Sequence, residues 1–187
     1  MAFLARIALA TDCDTGSALI GYQEPLALKN PGAYIQTPRN HHDYSPSFDP
    51  GRFVGSKVLD VGAGQALWVH YLLGKKIDAV ALDIKKPRIL SNLVENHFVV
   101  ADMQRTPFPN ETFDYVTSAY SVFSQESTNT PLMISILKEF HRILKPGGVV
   151  IIEGTSRENV KKAMDSDEFE IILWRPRTST LELRKKS

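Results

Sequence analysis

The stretch KVLDVGAGQALW, residues 57 to 68, decides the fold. Its first five residues, KVLDV, are mostly β-branched or aliphatic and predict a strand. QALWVHYLLG, residues 65 to 74, predicts a helix that Gly74 ends. Between them Asp60 is followed by Gly62 and Gly64, and glycines let the backbone approach a ligand closely. A strand, a glycine turn and a helix form the first unit of an α/β sheet.

The rest of the chain repeats this alternation of strands and helices. Further strands are predicted at 77–84, 96–102, 113–121 and 149–154, with helices at 86–94 and 130–144, a short helix capped by Thr155 and Glu158, and a hairpin formed by 169–176 and 179–186. Thr130 is the expected cap of the long helix, in which Pro131 suits the first turn. We therefore predict a Rossmann-like α/β fold with a seven-stranded, mostly parallel sheet, helices on both faces and a C-terminal antiparallel hairpin.

The chain has 187 residues, which suits a single domain. Residues 1–55 contain five of the eleven prolines and little periodicity, so we expect a partly irregular N-terminal cover segment. Residues 56–187 carry the α/β pattern and form the predicted functional domain. Arg6 interrupts the first apolar run, and no uncharged apolar run reaches the ~20 residues of a membrane span. The sequence predicts neither a signal peptide nor a membrane segment.

Composition narrows the classes of partner. The formal net charge is +1 and the lysine pairs are scattered, which disfavours a polyanionic partner such as nucleic acid. Cys13 is the single cysteine, so an internal disulfide and a cysteine-clustered metal site are excluded. We expect a cytoplasmic protein without a metal site.

The glycine turn lacks the patterns that bind phosphates. Counted from Gly62, the sixth position of the dinucleotide fingerprint is Leu67 instead of glycine. The P-loop pattern with its lysine is also absent. The ligand is therefore not expected to be held by its phosphates.

Four segments in order carry a resemblance to a known family: VLDVGAGQA, ALDI, VVADMQRTPFPNETFDYV and LKEFHRILKPGGVVIIEG. Together they resemble the signature segments of class I S-adenosylmethionine-dependent methyltransferases, most closely the type 11 group. The resemblance covers about residues 57–154, and the predicted hairpin matches the end of the family fold. It implies S-adenosylmethionine as cofactor. The family's third glycine is replaced here by Ala66.

The resemblance also implies where the cofactor binds. Asp60, Gly62, Ala63 and Gly64 would line its methionine end, and Asp83 would accept hydrogen bonds from the two ribose hydroxyls. The remaining residues that it implies are Asp102 near the adenine amino group, Ile84 and Met103 beside the ring, and Ser118, Ala119 and Tyr120 along the cofactor. Each acid also has a purely structural interpretation: Asp60 as a turn cap, Asp83 as an exposed strand end, and Asp102 as the first residue of a turn.

The catalytic residues are not identified by the sequence. Methyl transfer is an in-line displacement that depends mostly on positioning, and a base is useful only where the acceptor must lose a proton. Many relatives have a histidine after the fourth strand, where this chain has SAYSVFSQES. His41, His42 and Tyr120 are weak candidates, and a solvated polar turn is the alternative for residues 40–46. His70, His97 and His141 are interpreted as ordinary structural residues.

The sequence favours a small-molecule acceptor, given the near-neutral charge and the type 11 resemblance. Two alternatives stay open. One is an RNA or protein methyltransferase with an open cleft, and the other is a non-catalytic methyltransferase-like subunit that binds S-adenosylmethionine. No long insertion precedes the closing hairpin, so we expect the acceptor to be recognised by residues 1–55, by short loops or by a partner subunit, and a homodimer is a further alternative.

Overall fold

A computed structural model of the chain describes residues 46–88, 90–121, 123 and 129–186. A seven-stranded sheet forms its centre. The strands are β1 (Lys57–Val61), β2 (Asp78–Asp83), β3 (Phe98–Val100), β4 (Phe113–Ala119), β5 (Leu144–Glu153), β6 (Phe169–Arg175) and β7 (Thr180–Lys185). The helices are α1 (Leu67–Gly74), α2 (Asn92–Glu95), α3 (Thr130–Ile143) and α4 (Arg157–Ala163).

The strands lie in the order β3, β2, β1, β4, β5, β7, β6. The first five are parallel, and β7 pairs antiparallel with both β5 and β6. The predicted mostly parallel sheet with a C-terminal antiparallel hairpin is confirmed. The chain runs outward from β1 through β2 to β3 and then crosses to β4 on the other side of β1. In open α/β sheets ligands bind outside the carboxyl ends of the strands at such a reversal.

Alternate side chains of the strands pack into two cores, one on each face of the sheet. On β1, Val58 packs into the core that contains α1, whereas Leu59 packs into the core that contains α3 and α4. The α3 side chains predicted to share one face are buried against the sheet: Met133, Ile136, Leu137, Phe140 and Ile143. Leu144, predicted as the last residue of that face, is also buried but begins β5. Helices therefore cover both faces, as the sequence predicts.

Two 3-10 helices, Pro46–Phe48 and Pro50–Phe53, precede β1 on the α1 face. Their aromatic rings meet Trp68 of α1 edge to face, with centroids 5.5 Å away for Phe48 and 5.9 Å away for Phe53. This part of the predicted cover segment is thus tied to the sheet by apolar packing. The rest of that segment, residues 1–45, lies outside the described residues.

Three local predictions are corrected by the structure. The cap of α3 is Asn129, whose side chain accepts a hydrogen bond from the Leu132 amide (3.1 Å), rather than Thr130. The cap of α4 is Ser156, whose hydroxyl accepts a hydrogen bond from the Asn159 amide (3.4 Å), rather than Thr155, whose amide donates to the Ser179 carbonyl (3.1 Å). The helix predicted at 86–94 is a single turn, since Ser91 is still extended where it should be helical. Among the described residues no helix has the length and apolar character needed to cross a bilayer.

Candidate functional site

The glycine turn after β1 forms one wall of the site. The amides of Gly62 and Ala63 both donate to the Leu82 carbonyl, at 2.9 and 3.1 Å, which fixes the turn against β2. Gly62 has a φ of +72°, and a β-carbon there would lie 2.7 Å from Cβ of Ser121. Gly64 has a φ of +53°, and a β-carbon there would meet no atom of the described residues within 4 Å. Gly62 is therefore required by protein packing, whereas Gly64 borders open space.

Asp60 is buried near the carboxyl end of β1. Its carboxylate accepts a hydrogen bond from the Thr117 hydroxyl of β4 (2.8 Å), its register partner. Burial raises the pKa of Asp60 to about 7, with the Thr117 hydrogen bond opposing the rise and the charge of Asp83 adding to it. Both the charged and the neutral form of Asp60 are therefore populated at neutral pH.

Asp83 ends β2 beside the same turn and is 4% exposed. One carboxylate oxygen accepts from the Gly64 amide (2.9 Å) and the other from the Lys85 amide (3.2 Å). Each oxygen retains a second lone pair that can accept a further hydrogen bond. Asp83 therefore holds the turn and keeps acceptor capacity for a ligand.

Asp102 follows β3 at the same edge of the sheet and is exposed. Its carboxylate accepts from the Gln104 amide (2.8 Å) and from the Gln104 side chain (3.2 Å), which is the turn expected from its structural interpretation. Ile84, directly after β2, has 48% of its surface exposed. An exposed apolar side chain at a carboxyl edge offers a contact for a ring.

The end of β4 lies beside the same turn, where Ser121 packs against Gly62. Ser118 and Ser121 are buried, and their hydroxyl oxygens lie 2.5 Å apart. Tyr120 is left-handed, with a φ of +50°, and its ring packs so closely on Gly154 that a β-carbon there would lie 2.5 Å from Cδ1. Burial, with the negative charge of Glu153, raises the pKa of Tyr120 above its ordinary value. Its hydroxyl is a neutral hydrogen-bond donor at physiological pH and is not suited to act as a base.

The described histidines make their contacts elsewhere. His41 and His42, with the rest of residues 40–45, lie outside the described residues. His70 contacts the Ser91 hydroxyl through Nδ1 (2.6 Å), and the His141 ring packs edge to face on Phe169. Within the described ranges no three metal-ligating side chains come together.

A family model described as a methyltransferase domain matches residues 59–152, half of the chain. The chain belongs to this methyltransferase family. The match runs from β1 to the end of β5 and so includes the glycine turn, both buried acids and the end of β4. The predicted family resemblance is confirmed.

Two curated relatives of the methyltransferase domain are named demethylmenaquinone methyltransferase. That of Staphylococcus epidermidis is 36% identical over 112 residues, covering 55% of this chain and 44% of the relative. That of Lysinibacillus sphaericus is 31% identical over 115 residues, covering 57% and 47%. The chain thus spans about half the length of the curated relatives it matches.

A solved structure shares the fold of the methyltransferase domain. It is the 1,6-didemethyltoxoflavin-N1-methyltransferase of Burkholderia thailandensis with 1,6-didemethyltoxoflavin and S-adenosylhomocysteine bound. Its TM-score is 0.57 at 14% identity, over 88% of this chain and 90% of that one. At this identity the likeness concerns the fold alone.

Sequence reasoning located most of the side chains at this edge of the methyltransferase domain but missed two of them. The structure brings together Asp60, Gly62, Gly64 and Asp83, with Ser118 and Tyr120 at the neighbouring end of β4. Thr117 and Glu153 were missed. A hydroxyl inside the apolar strand β4 and an acid that ends the apolar run VVIIE are the signals that could have found Thr117 and Glu153.

Proposed function

We propose that this chain is an S-adenosylmethionine-dependent methyltransferase that transfers a methyl group to a small-molecule acceptor by in-line displacement. One observation carries the proposal. Two nearly buried carboxylates, Asp60 and Asp83, flank a glycine turn that borders open space at Gly64, at the carboxyl edge where the sheet order reverses. Such an arrangement suits a ligand that carries positive charge and hydroxyl donors.

The proposed roles follow from the chemistry of each side chain. Asp83 would accept hydrogen bonds from the ribose hydroxyls, because its oxygens have remaining lone pairs beside the turn. Asp60 and the backbone from Gly62 to Gly64 would face the amino-acid end. The exposed Ile84 would pack on the adenine ring. Met103 and Asp102 would lie near the same ring, and Ser118 to Tyr120 would line the cofactor from the end of β4.

The bound cofactor would supply an activated methyl group on a sulfonium, and the protein would hold the acceptor in line with that methyl group. The backbone at Gly64 and the side chain of Tyr120 would orient the acceptor toward the methyl group. Such orientation is the largest contribution that an enzyme makes to an in-line displacement. Tyr120 keeps its proton at neutral pH and would donate a hydrogen bond to the acceptor. This geometry favours an acceptor that is already nucleophilic when it binds.

A small, planar acceptor is favoured over RNA or protein. The net charge of +1 does not favour a polyanionic partner, and the curated relatives are named for demethylmenaquinone. The single cysteine and the ordinary globular composition support a cytoplasmic location.

Calorimetry with S-adenosylhomocysteine tests the cofactor site. Asp83→Ala should weaken binding by roughly 1 to 3 kcal/mol, because charge-assisted hydrogen bonds are lost. Asp83→Asn, which keeps one acceptor oxygen, should lose less. Asp78→Ala is the matched control, since Asp78 is an exposed acid at the opposite end of β2. Equal dissociation constants for all four proteins would refute the assignment of Asp83.

Turnover separates an enzyme from a binding subunit. The wild-type protein should convert S-adenosylmethionine to S-adenosylhomocysteine in the presence of a reduced, short-chain demethylmenaquinone. Cofactor binding without turnover on this or other ring acceptors would support the non-catalytic subunit instead. Turnover on transfer RNA alone would support the RNA alternative.

A further inference from the structure

The two acids at the candidate site are both buried, and no basic side chain among the described residues forms an ion pair with either of them. Asp60 is 7% exposed and Asp83 is 4% exposed. Two negative charges in a low-dielectric site repel strongly and are poorly solvated, so one of them is expected to hold a proton when no ligand is bound.

The hydrogen bonds indicate which acid that is. Asp83 accepts from two backbone amides, which stabilise its charged form. Asp60 accepts from one hydroxyl, that of Thr117. Asp60 therefore has fewer donors to stabilise a negative charge than Asp83 has. Burial, with the charge of Asp83, raises the pKa of Asp60 to about 7, in agreement with this difference.

Among the described residues, Asp83 is the charged group that acts on the pKa of Asp60. From β4 it faces the uncharged Thr117, and from β2 it faces Asp83. On α1 the ring of His70 contacts the Ser91 hydroxyl (2.6 Å). The charge on Asp60 is therefore set by burial, by Asp83 and by whatever cation a ligand brings.

We propose that Asp60 is protonated in the ligand-free protein and releases its proton to solvent when the ammonium group of the cofactor's amino-acid end binds beside it. This inference rests on the proposed function. The carboxylic O–H bond breaks, the proton goes to water, and the carboxylate left behind forms an ion pair with the ammonium group. No other bond changes and no co-reactant is needed.

Two consequences distinguish this linkage from simple charge attraction. Below the pKa of Asp60, cofactor affinity falls about tenfold for each unit by which the pH drops, because binding must first remove a proton. Ligands that have the adenosine part but lack the ammonium group, such as methylthioadenosine, bind without releasing a proton. The site thus selects for the amino-acid end through proton release.

Calorimetry in buffers of different ionisation enthalpy measures the released protons directly. For S-adenosylhomocysteine and the wild-type protein we expect about 0.9 proton released at pH 6 and about 0.5 at pH 7. Methylthioadenosine should release none. Asp60→Asn should release none with either ligand, and its affinity for S-adenosylhomocysteine should stay constant from pH 6 to 8. Asp78→Asn should behave like the wild type.

The outcomes separate this inference from the proposed function on which it rests. Binding of S-adenosylhomocysteine without proton release would overturn the inference alone. Proton release that persists in Asp60→Asn would also overturn it, since another group would then be titrating. Failure of the folded wild-type protein to bind S-adenosylhomocysteine would overturn the proposed function and this inference together. Thermal unfolding of each variant establishes that it is folded.

Discussion

The guanidinium group of Arg52 donates two hydrogen bonds to the Glu182 carboxylate, at 2.7 and 2.8 Å. Arg52 belongs to the second 3-10 helix before β1, and Glu182 lies in the middle of β7. The Ser47 hydroxyl donates to the same carboxylate at 2.5 Å. This contact joins the segment that precedes β1 to the C-terminal hairpin across 130 residues of sequence.

Arg52→Met should lower the free energy of unfolding by about 1 to 3 kcal/mol, because it leaves the buried Glu182 carboxylate with a single side-chain partner. Burial raises the pKa of Glu182, but hydrogen bonds from Arg52 and Ser47 outweigh this effect and lower it. The contribution is therefore present at neutral pH and is lost as the pH falls through the lowered pKa. Urea denaturation at pH 7 and pH 3 should show a large difference from the wild type at pH 7 and a small one at pH 3. Arg184→Met, which removes an exposed ion pair with Glu170, is the control and should change stability little.

Gly62→Ala and Gly64→Ala should have different effects, although both glycines have positive φ angles. Either change introduces backbone strain of about 1 kcal/mol. Gly62→Ala adds a collision with Ser121, so thermal unfolding should show the larger loss for this variant. Gly64→Ala fills open space and should instead weaken S-adenosylhomocysteine binding. Truncation of Ser121 to Gly should recover part of the stability lost in Gly62→Ala, and no recovery would contradict the packing role of Gly62.

Asp60→Asn should stabilise the ligand-free protein at pH 8 but not at pH 4. Burial raises the pKa of Asp60 from 3.8 to about 7, so the folded state binds this proton more tightly than the unfolded state does. The stability that Asp60 contributes is full below the unfolded pKa and is lost as the pH rises toward 7, by at most about 4 kcal/mol. Urea denaturation of both proteins at the two pH values measures the difference. A constant difference across this range would contradict the raised pKa.

The sequence predicted those features that repeat along the chain or depend on local chemistry. The alternation of apolar strands and helices specified the sheet, and Gly62, Gly64 and Asp83 were placed at its carboxyl edge by their position after a strand. The contacts of Thr117 and Ser121 were not predicted, because they pair residues about 60 positions apart that only the parallel order of β1 and β4 brings together. The cap at Ser156 was missed for a similar reason, since Thr155 is held by a turn of the hairpin. Local patterns do not contain such long-range pairings.

The ring of Tyr120 occupies the volume that a side chain at position 154 would need. A single replacement of Gly154 therefore collides with the aromatic ring, whereas loss of the ring removes the collision and leaves only the backbone strain of a residue with a φ of +75°. Substitutions at these two positions, 34 residues apart, are expected to occur together during evolution. Homologues that bear a side chain at position 154 should have a smaller residue in place of the tyrosine, and with it a wider entrance to the cleft.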